Sequence, residues 1–239
     1  MKKVVVLSGA GVSAESGIKT FRDSNGLWEE YKVEDVASID GWYRNKELVL
    51  NFYNARRRAL QNAQPNDAHK IIAGLENNFD VTVVTQNVDN LHERAGSTKI
   101  IHLHGELTKA RSVKDEFTTY EIGYNDIHLG DKAPDGGQLR PFIVWFGESV
   151  PELNRAAKEI EKADILIIIG TSLNVYPAAG LVHYTKPGCK IYLIDPQPMN
   201  LRMENFTQIQ DVATEGMRKL KEELNEELLF IFIFIFYHL

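Results

Sequence analysis

The stretch Ser8-Gly9-Ala10-Gly11-Val12-Ser13-Ala14-Glu15-Ser16-Gly17 decides how this chain is read. It follows directly on Lys3-Val4-Val5-Val6-Leu7, an apolar, β-branched run with the pattern of a buried strand. Glycines at 9 and 11, with Ala14 three residues on, fit a strand–tight turn–helix unit that receives a dinucleotide pyrophosphate. On that reading Gly9 permits the sharp turn and Gly11 lets backbone approach phosphate oxygens. The helix start offers unpaired N–H groups at a positive dipole end. An ordinary strand–helix turn without a ligand has the same local pattern, so the rest of the chain must decide.

Working outward, 239 residues at 44% hydrophobic content allow one large core, or one core with a small satellite. The net charge of −6, without long like-charge blocks, argues against nucleic acid as a partner. Cys189 is the sole cysteine, so neither an intrachain disulfide nor a cysteine-based zinc site can form. The first residues run straight into a strand with no secretory pattern, and the expected location is the cytoplasm.

Strand candidates recur at 4–7, 81–85, 100–103, 143–146, 165–169 and 191–194. Helical patterns lie at 47–61, 66–77, 152–162 and 178–183. Near-continuous apolar strands alternating with helices predict an α/β fold, a doubly wound parallel Rossmann-like sheet, with a small module formed by two insertions. The expected sheet domain is discontinuous, at 1–20, 76–108 and 140–229. The helical or irregular module takes 21–75 and 109–139. Residues 217–229 read as a last amphipathic helix. The apolar run at 230–237 has high β-propensity, no charge and no proline, and is too short to span a bilayer as a helix. No membrane contact is expected except through that tail.

The chemistry concentrates where strands end. A dinucleotide dehydrogenase places an acid at the end of its second strand; here that strand runs into Gln86-Asn87-Val88-Asp89. The third ends in His102-Leu103-His104-Gly105. His104 is the candidate general base, and His102 reads better as a structural histidine bonded to backbone.

At this point the chain resembles the sirtuins, NAD-dependent protein deacylases. The matching motifs are Gly9–Trp28 with Thr20-Phe21-Arg22-Asp23, Gln86–Asp89, His104-Gly105, Val144-Trp145-Phe146-Gly147-Glu148 and Gly170-Thr171-Ser172. The resemblance implies NAD as cosubstrate, bound by Gly9, Ala10, Gly11, Glu15, Phe21, Arg22, Trp28, Gln86, Asn87, Val88 and Asp89. A second set comprises Gly170, Thr171, Ser172, Asp195, Gln197 and Ala213, with Asp195 standing where the family often has asparagine. It further implies catalysis by His104, Asn87 and Asp89. The acyl oxygen attacks the ribose carbon bearing nicotinamide, His104 removes a ribose hydroxyl proton, and lysine, nicotinamide and O-acyl-ADP-ribose result. The implied partners are acylated-lysine proteins or peptides, paired along Val144, Phe146, Gly147 and Glu148, for which an ordinary core strand is the alternative.

Tyr53 and Arg56, three apart on one helix face, resemble the Tyr-x-x-Arg pair of sirtuins that accept acidic acyl groups. The other reading of Phe52–Arg58 is a solvated basic face. Succinyl and malonyl groups are therefore expected substrates besides acetyl. The chain departs from most sirtuins in having no zinc cysteines at 105–140. Ser112 and Asp115 fall near the first pair, so no zinc is expected, and Phe117, Tyr120 and Tyr124 are the candidates to pack the module instead. Two other readings stay open: an NAD glycohydrolase or ADP-ribosyltransferase on the same fold, and a non-catalytic NAD-sensing module.

Overall fold

A computed structural model of the chain describes residues 1–19, 27–28, 31–199 and 202–237, with side chains for all of these except 27–28 and 227–237. The expectations for Phe21, Arg22 and the Trp28 side chain lie outside the described residues.

The chain opens with β1 (Lys3–Ser8), α1 (Gly11–Ala14) and a ribbon of β2 (Leu27–Trp28) and β3 (Tyr31–Lys32). Helices α2 (Val33–Val36), α3 (Ile39–Arg44), α4 (Lys46–Asn62) and α5 (Asp67–Gly74) follow, then β4 (Asp80–Thr85), α6 (Leu91–Ala95) and β5 (Ile100–His102). Next come β6 (Gly105–Ser112), β7 (Thr119–Glu121), β8 (Leu139–Ile143), α7 (Leu153–Glu161) and β9 (Ile165–Ile169). The chain continues through β10 (Lys190–Ile194), β11 (Phe206–Ile209) and α8 (Ala213–Tyr237).

Six strands form one parallel sheet in the order β11-β10-β9-β1-β4-β5. Alternation along β1 explains its unbroken apolar run: Val4 and Val6 enter one core with α5 and α8. Val5 and Leu7 enter the other with α7. Both faces are covered, so there is no wet side to mark with polar residues. The anticipated α/β architecture is therefore the observed one.

The 109–139 insertion, expected to be helical or irregular, lies in a region of regular strands. β7-β6-β8 form an antiparallel three-stranded sheet, so the module is not simply helical or irregular. It packs through Leu107, Ala110, Ile127 and Ile143 against Val49, Tyr53 and Leu60 of α4. Phe117 is 87% exposed and takes no part in that core. Asn54, buried on α4, donates to the Ile127 carbonyl and accepts from its N–H, tying the two insertions together.

Two further expectations change. β8 ends at Ile143; beyond it, Phe146 makes only an isolated bridge to Ser38. The run at 230–237, read as β-prone, continues α8 through Tyr237. Helix extension from an established nucleus fixes one residue per added hydrogen bond, and this outweighs local β-propensity. Among the described residues, no helix is long and apolar enough to cross a membrane.

Candidate active site

The carboxyl ends of β1, β4, β5 and β9 meet the α4 helix and the segment after β8 around a cavity of about 380 Å³. Its lining includes Gly9, Ala10, Gly11, Gln86, Asn87, Val88, Asp89, His104, Gly170, Thr171 and Ser172. Tyr53, Arg56, Val144, Phe146, Gly147 and Glu148 line it too. Ligand sites of parallel α/β sheets lie at this edge because loops from neighbouring strands leave toward opposite faces there and open a crevice. Glu15, Asp195, Gln197 and Ala213 do not line it. The Glu15 carboxylate instead accepts from the Thr214 N–H and hydroxyl at the start of α8. Asp195 accepts from the Gln197 N–H at 3.0 Å.

The glycines of the first turn have a nearer reason than phosphate. A β-carbon on Gly9 would meet the Thr171 side chain at 2.7 Å, and one on Gly11 would meet Gly170 backbone at 2.7 Å. The N–H groups of Gly9 and Gly11 donate to the Ile169 and Gly170 carbonyls. Two strand-end loops thus pack backbone to backbone to make the cavity floor. The sequence reading, which gave Gly11 to phosphate contact, missed this role because the second loop lies 160 residues away in the chain.

Asn87 and Asp89 are fixed from behind. Ser13 donates to Asp89 Oδ2 at 2.9 Å and accepts from Asn87 Nδ2 at 3.2 Å; the Leu91 N–H donates to Asp89 Oδ1. Burial pushes the Asp89 carboxyl pKa up, with the Leu91 and Ser13 hydrogen bonds opposing it. Ser8, Thr85 and the imidazoles of His69 and His92 continue this buried polar layer under the floor. Ser13 was in view in the opening motif, but its contacts were not.

His104 is partly buried at the cavity wall. Its Nδ1 lies 3.0 Å from the Gln86 carbonyl, which can only accept, so Nδ1 carries the proton and Nε2 keeps its lone pair. Burial lowers its pKa, partly offset by that carbonyl. The group is a neutral base near pH 7. His102 is held structurally, as expected: Nδ1 faces the Asn87 carbonyl at 3.2 Å and Nε2 meets Glu93 at 2.6 Å. Burial opposes its charge, but Glu93, Glu106 and the Asn87 carbonyl together outweigh burial and raise the pKa.

The helix α4 is not a solvated basic face. Tyr53 and Arg57 are fully buried and Arg56 is 8% exposed; only Arg58 reaches outward, to Asp126. Tyr53 accepts from the Trp145 indole N–H at 2.9 Å. The segment after β8 is partly committed already. Val144 N–H donates to the His104 carbonyl and Phe146 N–H to that of Ala37, while the Phe146 carbonyl accepts from Ile39. Phe146 and Gly147 are its exposed part. Glu148 is bound by Arg140 at 2.7 and 2.9 Å, by Arg111 at 3.0 Å and by the Trp145 N–H at 2.9 Å. Its carboxylate thus holds the wall.

Where zinc cysteines would stand, Ser112 donates to Asp135 at 2.9 Å and Asp135 accepts from the Gly137 N–H. Asp115 accepts from the N–H groups of Phe117 and Thr118. Among the described residues one group of potential metal ligands converges: Glu93, His102 and Glu106. It is already paired internally and with Lys109, so it makes no case for a metal.

Fold and site together define a Rossmann-like α/β protein with a ligand cavity at the strands' carboxyl edge and a neutral imidazole on its wall. Residues 9–177 match the Sir2 family, and the chain belongs to that family. It is 56% identical over 230 residues to an NAD-dependent protein deacylase of Bacteroides thetaiotaomicron, covering 94% of this chain and 98% of that one. It is 52% identical over 227 residues to one of Helicobacter pylori, covering 95% and 99%. A solved Sir2 homologue–NAD complex superposes with TM-score 0.85 at 40% identity, covering 95% of this chain and 91% of that one. A Sir2 structure with 2′-O-acetyl-ADP-ribose and a deacetylated p53 peptide superposes with TM-score 0.76 at 31% identity, covering 93% and 94%.

Proposed function

We propose that this protein removes acyl groups from protein lysines, using NAD as cosubstrate and giving nicotinamide and O-acyl-ADP-ribose. One observation carries the reading: the neutral Nε2 of His104, the Asn87–Asp89 pair and the exposed residues Phe146 and Gly147 converge on one cavity. Asn87 suits a neutral carboxamide and Asp89 suits ribose hydroxyls or developing positive charge. His104 takes the ribose hydroxyl proton, and an extended peptide runs along Phe146–Gly147. Gly170, Thr171 and Ser172 line the same cavity, and their backbone and hydroxyl groups suit a phosphate and second ribose. The chain's relatives bear names and ligands of this chemistry.

The finer part of the proposal is that succinyl and malonyl groups are accepted besides acetyl. Its support is Arg56 and Tyr53, low in exposure and side by side on the cavity wall. A buried guanidinium facing a cavity suits an acyl carboxylate. Two experiments test the whole. Mass spectrometry of a succinyl-lysine peptide with enzyme and NAD should show O-succinyl-ADP-ribose; free ADP-ribose with unchanged peptide would mean an NAD glycohydrolase. Tyr53→Phe and Arg56→Met should lower kcat/KM on succinyl peptide far more than on acetyl peptide, and equal losses would remove the acidic-acyl reading.

A further inference from the structure

Trp145 lines the cavity beside Tyr53, 2% exposed, with its indole nitrogen 2.9 Å from the Tyr53 hydroxyl oxygen. This contact has a single polarity. An indole N–H can only donate, so the phenol oxygen must accept. A phenolic O–H lies near its ring plane and has two in-plane positions, and an N–H donor arriving along one leaves the hydrogen in the other. Tyr53 thereby becomes a donor of fixed direction rather than a rotor that donates or accepts. Burial also pushes its pKa up, which keeps that hydrogen in place.

The indole itself is braced from several sides. The Arg140 guanidinium stacks 3.4 Å from its ring centroid, and Trp42 packs at 5.4 Å. Its backbone N–H is held by Glu148, and Glu148 by Arg140 and Arg111. Arg111 is on β6 and Arg140 on β8, so the small antiparallel sheet is built into the acyl pocket wall.

We propose that Trp145 is a specificity-determining positioning residue: by donating to Tyr53 it orients the Tyr53 hydroxyl to donate to an acidic acyl carboxylate. It acts through Tyr53 and does not itself touch the acyl carboxylate. This rests on the acidic-acyl reading above. An acetyl group ends in a methyl and has no use for the donor. The orientation therefore favours succinyl or malonyl over acetyl, and its loss changes the ratio between them.

The test measures kcat and KM on matched succinyl- and acetyl-lysine peptides at saturating NAD. The variants are Trp145→Phe, Tyr53→Phe and the double variant, with circular dichroism melts reporting folding. Trp145→3-benzothienylalanine replaces only the N–H by sulfur, keeping the ring shape if the Phe variant fails to fold. The expected result is a five- to tenfold fall in the succinyl-to-acetyl ratio of kcat/KM. It should lie mainly in KM for the succinyl peptide, with no further fall when Trp145 is changed in the Tyr53→Phe background. An unchanged ratio in the Trp145 variants, with Tyr53→Phe lowering it, overturns the inference alone. Additive losses in the double variant also overturn it, since they make the two residues independent. If Tyr53→Phe itself leaves the ratio unchanged, the acidic-acyl reading fails and the inference falls with it.

Discussion

The imidazole of His104 donates its Nδ1–H to the carbonyl oxygen of Gln86 at 3.0 Å, and in this tautomer Nε2 is unprotonated at the cavity wall. Gln86 follows β4 and His104 follows β5, so two neighbouring parallel strands set the tautomer. If His104 is the general base, activity needs its neutral form. Burial holds its pKa below the ordinary 6.5, so kcat/KM should rise with pH along an acid limb centred below that value. His104→Ala should reduce turnover by at least about a hundredfold while NAD still binds by calorimetry. Full activity in that variant would remove His104 from the reaction.

His69 and His92 stack edge to face at 4.8 Å beneath the cavity floor, both nearly without solvent contact. Burial lowers the His69 pKa from 6.5 to about 4 and drives that of His92 well down. Above pH 6.5 both are neutral whether folded or unfolded, and the shift costs nothing. Below it the unfolded chain binds protons that the fold refuses, so stability falls as the pH drops from 6.5 toward 4. For His69 alone the difference is on the order of 3 kcal/mol. Urea melts between pH 7 and 4.5 should show this decline, and His69→Gln should flatten it in part; parallel curves would mean that His69 does not contribute to it.

Glu148 holds two arginines and one backbone N–H, and the Arg140 side chain is 4% exposed. Removing one partner of a buried pair leaves the other charge uncompensated, and that typically costs about 3 kcal/mol or more. Glu148→Gln keeps the shape and loses the charge. It should lower the Tm by several degrees and loosen Trp145, seen as a red shift in fluorescence. A variant as stable as the parent would show that Arg140 relies on its Trp145 stacking alone.

The module that joins β6 to β8 is closed by Ser112, Asp135 and Gly137 hydrogen bonds and by its apolar contact with α4. Chelation with EDTA should therefore leave both Tm and activity unchanged. Zinc analysis of the purified protein should give well below one equivalent. A tightly held equivalent whose removal lowers the Tm would overturn this expectation.

The parallel sheet was legible in the sequence because burial on both faces forces unbroken apolar runs such as Val4–Leu7 and Ile165–Ile169, and no other common element needs them in such numbers. Strand ends were legible too, which is why the sequence places Gln86–Asp89, His104 and Gly170–Ser172 on one edge. Periodicity did not reveal the β6–β8 sheet, whose strands mix polar and apolar residues and depend on α4 for their core. Nor could local β-propensity foresee that α8 runs on to Tyr237.

What the sequence determined by itself was the class of fold, the edge that carries the site and the residue types gathered there, because these follow from local pattern. Tertiary structure alone decided how those residues act. Gly9 and Gly11 are glycines because Gly170 and Thr171 pack against them. Asn87 and Asp89 are aimed by Ser13, and Tyr53 is oriented by Trp145, 92 residues away. Each is a contact between segments distant in the chain, whose geometry exists only once the sheet has brought them together.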